Sequence, residues 1–82
     1  MQQAIFDSIK TVAKEYIDYE KARQIKLGDK ITRTFPRDES TIELYIENLE
    51  QQFGVGISLD INENTNFETL VDYINELTLE RV

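Results

Sequence analysis

The sequence predicts an all-α fold, a small helical bundle, and three observations carry that expectation. Apolar residues recur at helical spacing in three separate segments. Between and after them stand Gly28, Pro36, Gly54 and Gly56, which punctuate the chain. No segment needs a strand to explain its pattern. At 82 residues the chain makes one domain, spanning positions 1–82, with a modest core.

The first segment, over residues 3–19, places Ile5, Ile9, Val12 and Tyr16 on one stripe, widened by Phe6, Ala13 and Ile17. That spacing predicts an amphipathic helix. A long connection follows over residues 23–38. Ile25, Leu27, Ile31 and Phe35 are spread through it at neither helical nor strand spacing. The expectation is an ordered loop pinned over a helical core by those four apolar anchors, since long loops without structure of their own are uncommon.

The next helix is expected over residues 40–53. Ile42, Tyr45, Ile46, Leu49 and Phe53 form its apolar face, and Glu39, Glu43, Glu47 and Glu50 form a neighbouring stripe. At about 100° per residue, Ser40 projects opposite the apolar face and Leu44 lies one turn below it. Gly54 and Gly56 stop the helix. Residues 57–64 read as a short connection with room for a single helical turn. The last helix is expected to start near Thr65 and Asn66 and to bury Phe67, Leu70, Val71, Ile74 and Leu77. Thr65-Asn66-Phe67-Glu68 has the form of a capping box, the threonine hydroxyl accepting from the backbone while Glu68 reaches back.

Composition excludes several functions. The chain has no cysteine and no histidine. Disulfides, thiolate or imidazole metal sites, and nucleophiles paired with histidine are therefore ruled out. No apolar run approaches membrane-spanning length, and no basic leader precedes an apolar stretch, so a cytoplasmic location and no membrane association are expected. The net charge of −7 is unevenly spread: residues 1–38 carry +2 and residues 39–82 carry −9. The second half should repel nucleic acid and attract basic protein surfaces. The basic stretch over residues 21–37 holds Lys21, Arg23, Lys26, Lys30, Arg33 and Arg37 against Asp29. It lacks aromatic interleaving, and no nucleic-acid partner is expected.

Three places invite a functional reading. Ser40-Thr41-Ile42-Glu43 is a capping box in form, which alone explains the serine. The same serine is also an exposed hydroxyl at a helix start, where the helix dipole favours a phosphodiester anion, beside an acidic stripe. Asp60, Asn62 and Asn64 alternate like the opening of a calcium loop. Thr65 then stands where that loop needs glycine, and Val71 where it needs a bidentate glutamate. The segment therefore reads as a polar loop ahead of the last helix, and no metal is expected. The glutamate stripe has no interspersed lysine to relieve its like-charge pairs, so it suits a basic partner as well as solvent.

Two stretches resemble a known family. Residues 43–57, ending in Phe53-Gly54-Val55-Gly56-Ile57, resemble the acidic second helix of acyl carrier proteins and the turn after it. Residues 67–74, ending in Val71-Asp72-Tyr73-Ile74, resemble that family's last helix. The resemblance implies a four-helix bundle: three main helices and a short third helix near residues 60–64. It implies a 4'-phosphopantetheine arm on a serine at the start of the second helix, here Ser40. It also implies partners with basic docking surfaces, a phosphopantetheinyl transferase and acyl-handling enzymes of fatty acid or polyketide assembly. They would dock on Asp38, Glu39, Glu43, Leu44 and Glu47. Catalysis would come from the partners and the arm's thiol, so the protein itself is expected to be no enzyme, and a monomer.

The family's Asp-Ser-Leu motif is replaced by Asp38-Glu39-Ser40-Thr41. Counting back from Phe53 without a gap puts Glu39 at the modified position, and a one-residue deletion restores Ser40. Two readings follow: a carrier loaded at Ser40, and a carrier-like module that is never modified and binds a basic partner surface.

Overall fold

In the computed structural model, residues 2–35 and 39–79 are described, Glu39 by its backbone alone. Five helices follow in order: α1 (Gln2–Ala13), α2 (Tyr19–Arg23), α3 (Ile31–Thr34), α4 (Glu39–Phe53) and α5 (Phe67–Leu79). There is no strand among the described residues, only one isolated bridge between Lys30 and Asn66. The fold is an all-α bundle, as the apolar periodicity predicts. No helix among the described residues is long and apolar enough to cross a membrane.

The three long helices share one core. α1 contributes Ile5, Ile9 and Val12, α4 contributes Tyr45 and Leu49, and α5 contributes Phe67, Leu70, Val71 and Ile74. α1 packs against both α4 and α5. Tyr45 anchors the centre. It is fully buried, its hydroxyl donates to the Ile9 carbonyl at 3.0 Å, and its ring lies 4.5 Å from that of Phe35 and 5.9 Å from that of Tyr16.

The first helix is shorter than its stripe. α1 ends at Ala13, six residues before the expected end. There the backbone tightens: Glu15 and Tyr16 donate to the carbonyls three residues back, Val12 and Ala13. Asp18 then takes an extended conformation ahead of α2. Tyr16 and Ile17 still reach the core, which is why helical spacing read on through the turn.

The connection over residues 23–38 is ordered but not helix-free, since α3 forms within it. Three of its four anchors are buried, Ile25, Ile31 and Phe35; the Leu27 side chain is 38% exposed. The loop's main use is to finish α5. The Asp29 carbonyl accepts the Phe67 N–H at 3.1 Å and the Leu27 carbonyl accepts the Glu68 N–H at 2.9 Å. Two first-turn donors of α5, which have no partner inside the helix, are thus satisfied by a distant segment.

The last cap also differs from its expected form. α5 starts at Phe67, and Asn66 caps it, its Oδ1 accepting from the Thr69 N–H at 2.9 Å. Thr65 instead staples the preceding loop, its buried hydroxyl accepting from the Asn62 N–H and donating to the Asp60 carbonyl. Residues 60–64 form no helix; the short helices of this bundle are α2 and α3. The reason lies in residues 55–61. Burial alternates along them, with Val55, Ile57, Leu59 and Ile61 half-buried and Gly56, Ser58 and Asp60 exposed, so the segment is held by every second side chain and not by a helical stripe.

Candidate functional site

α4 carries the expected site. Its helix begins at Glu39, so Ser40 is already the second helical residue rather than the residue before the helix. The capping-box reading of Ser40 therefore does not hold. Ser40 is exposed, and Leu44, one turn on, is 54% exposed. Glu43 and Glu47 are exposed as well. Of the six expected site residues, Ser40, Glu43, Leu44 and Glu47 thus share the outer half of one helix. Asp38 and the side chain of Glu39 lie outside the described residues.

Beside this face runs an open groove of about 460 Å³. Ile42 and Ile46 of α4 line one side, and Leu59 and Ile61 of the connection ahead of α5 line the other. Thr32 of α3 closes one end, with Glu43 and Glu47 along the rim. This is an apolar trough with an acidic lip. Sequence periodicity identified the lip and missed the far wall. The signal was present: Val55, Ile57, Leu59 and Ile61 alternate at period two, the pattern of a segment with every second side chain against a core.

Two polar contacts hold that far wall in place. The Glu50 carboxylate accepts the Ile57 N–H at 2.8 Å, and the Tyr73 hydroxyl of α5 accepts the Ser58 N–H at 3.1 Å. Glu50 is therefore engaged in closing the turn after α4, unlike Glu43 and Glu47 in the same stripe. Gly54, at φ 66°, lets the chain leave the helix in the left-handed conformation that a side chain disfavours.

The opposite flank of α4 abuts the end of α1. Asn48 donates to the Glu15 carboxylate at 2.7 Å and to the Tyr16 hydroxyl at 3.1 Å, and that hydroxyl donates in turn to the Leu44 carbonyl at 3.3 Å. Leu44 is thereby fixed between the acidic lip and the α1 end.

Among the described residues the groove is lined by no acid–base pair: Glu43 and Glu47 are its only titratable groups. Among the described residues no group of three carboxylates could hold a metal ion. Asn62 and Asn64 are occupied locally, the Asn62 side chain accepting the Asn64 N–H at 2.8 Å. Burial pushes the Tyr45 hydroxyl well above its ordinary pKa, and it serves the core rather than chemistry. What the arrangement offers is an exposed serine, an apolar trough and an acidic rim on one helix. No protein-family model, curated protein or solved structure matches the chain.

Proposed function

We propose that the chain is a carrier of acyl groups held as thioesters on a phosphopantetheine arm at Ser40. One observation carries this reading: an exposed serine in the first turn of α4 stands on the same helix as an apolar trough with an acidic lip. The serine hydroxyl would attack the phosphoryl group of coenzyme A that bears pantetheine, forming a phosphodiester and releasing the nucleotide, with a transferase as catalyst. The arm's thiol then supplies the carrier chemistry. The trough lies within the range of small-ligand pockets, about 300–1,000 Å³, and gives an apolar cargo a surface other than water. Glu43 and Glu47 would meet the basic surfaces of the enzymes that load and unload the arm.

A specific observation favours a second reading. α4 runs unbroken from Glu39 to Phe53. Counted back along a regular helix, Glu39 occupies the position that acyl carriers modify, and Ser40 sits one residue on, turned by about 100°. A carrier-like module that binds a basic partner and is never loaded fits that register.

Intact mass separates the two. The protein is incubated with coenzyme A and a broad-specificity phosphopantetheinyl transferase, with Ser40→Ala alongside. The carrier reading expects one phosphopantetheine adduct, absent in the variant. An unchanged mass, where a known carrier is loaded under the same conditions, sinks that reading in favour of the unmodified module.

A further inference from the structure

The groove beside α4 sets an apolar surface and a charged one side by side. Ile42, Ile46, Leu59 and Ile61 are half-buried, packed on the core yet lining the groove. On α4, Glu43 follows Ile42 and Glu47 follows Ile46, and both carboxylates line the same groove. Thr32, the remaining lining residue, is uncharged, so no lysine or arginine among the described residues lines it. The cations of the neighbouring elements are placed elsewhere. Arg33, beside Thr32, lines a separate notch with Lys21, and Lys30 donates to the Asn64 carbonyl at 3.1 Å. Asp60, between Leu59 and Ile61, is exposed and adds further negative charge on that side.

These two surfaces select different parts of one ligand. The aliphatic lining favours a chain that leaves water, roughly in proportion to the apolar area it covers. The carboxylates favour a positive end group and disfavour a negative one. Both are exposed, so the charge sets a preference among ligands while apolar contact supplies most of the affinity.

We propose that this groove binds an aliphatic chain ending in an ammonium group, with the chain along Ile42, Ile46, Leu59 and Ile61 and the ammonium at Glu43 and Glu47. A chain ending in a carboxylate carries the wrong charge for the rim, and a neutral one uses the apolar lining alone. The occupant is a small amphiphile because the groove, about 460 Å³, has the size of a small-ligand site and is lined by aliphatic side chains on both sides. Binding is non-covalent and stands whether or not Ser40 is loaded.

The test titrates octylammonium, octanol and octanoate, each below its micelle-forming concentration, into the isotopically labelled Ser40→Ala protein and follows its amide NMR shifts. The Ser40→Ala background keeps the result separate from loading of an arm. Octylammonium should give saturable shifts centred on Ile42, Ile46, Leu59 and Ile61. At low salt it should bind about tenfold tighter than octanoate, a preference that salt reduces. Glu43→Gln/Glu47→Gln should abolish the preference and leave octanol binding unchanged. Both positions are exposed, and circular dichroism confirms that the variant is folded. Equal binding of octylammonium and octanoate overturns the proposal, and so do shifts that spread over the surface without saturating. A basic amphipathic peptide of leucine and lysine that shifts the groove amides where octylammonium does not also overturns it, and assigns the groove to a partner helix instead.

Discussion

Tyr45 concentrates the residue-scale physics of this chain. Its ring fills the centre of the bundle and its hydroxyl keeps one hydrogen bond, to the Ile9 carbonyl. Tyr45→Phe retains the ring and removes the bond, so unfolding in urea should show a loss of about 1 kcal/mol at neutral pH. The same residue sets an alkaline limit. Burial holds its pKa above the ordinary value in the folded state. Once the pH passes about 10, the unfolded chain sheds this proton and the folded chain keeps it. The folded state then binds more protons, so stability falls as pH rises. The other three tyrosines are not fully buried, and Tyr45→Phe should flatten the alkaline decline measured by urea midpoints. An equal decline in both proteins would place the cause elsewhere.

Asn66 gives a second prediction at this scale. It, and not Thr65, caps α5. Asn66→Ala should cost about 1 kcal/mol, while Asn66→Asp, an equally good cap, should cost little. The pair of urea midpoints separates loss of a cap from loss of packing.

At the scale of elements, the helices were legible because each long one buries a stripe, and a stripe is written in the sequence at fixed spacing. The ends were less so. Tyr16 and Ile17 continue the stripe of α1 past a tightened turn, and spacing alone does not register a change of backbone. The α3 turn escaped because a four-residue helix shows too little periodicity to read. The start of α5 was misplaced by one residue because Thr65 and Asn66 are both good caps. The choice between them depends on the loop over Asp29, a contact across more than thirty residues.

The groove tests this element-level account. Its far wall is held by the Glu50 carboxylate and by the left-handed exit at Gly54. Gly54→Ala should cost about 1–2 kcal/mol by forcing a side chain into that conformation. Glu50→Gln keeps an oxygen that can accept the Ile57 N–H, whereas Glu50→Ala leaves that half-buried donor without it. Thermal unfolding should therefore rank Glu50→Gln above Glu50→Ala. Hydrogen exchange at Ile57 should be faster in the alanine variant, with the α1 and α5 amides unchanged. The site was legible in the same uneven way. Ser40, Glu43, Leu44 and Glu47 follow from the angle of each residue on one helix. The wall opposite them comes from residues 55–61, whose period-two alternation is too short and too interrupted by glycine to mark a surface on its own.

At the scale of the whole molecule, charge and stability pull apart. The half from Glu39 onward carries −9, and its outer helix face repeats glutamate without a cation to relieve it. Such pairs at i,i+4 cost a few tenths of a kcal/mol each. Glu43 and Glu47 are one such pair, exposed and on the groove rim. A chain selected for stability alone gains from a lysine there. Glu47→Lys should therefore leave the melting temperature unchanged or raise it slightly, through relief of Glu43. If the acidic lip is a docking surface, the same change should impair recognition by a basic partner. With a phosphopantetheinyl transferase as that partner, the expected signature is a raised KM with kcat largely kept, because the lip steers encounter and takes no part in the chemistry. The penalty should shrink as salt is added, since the Debye length falls from about 10 Å at 0.1 M to about 3 Å at 1 M. A lowered melting temperature would show the glutamates to be structural. A KM change indifferent to salt would show that Glu47 acts through shape and not through charge.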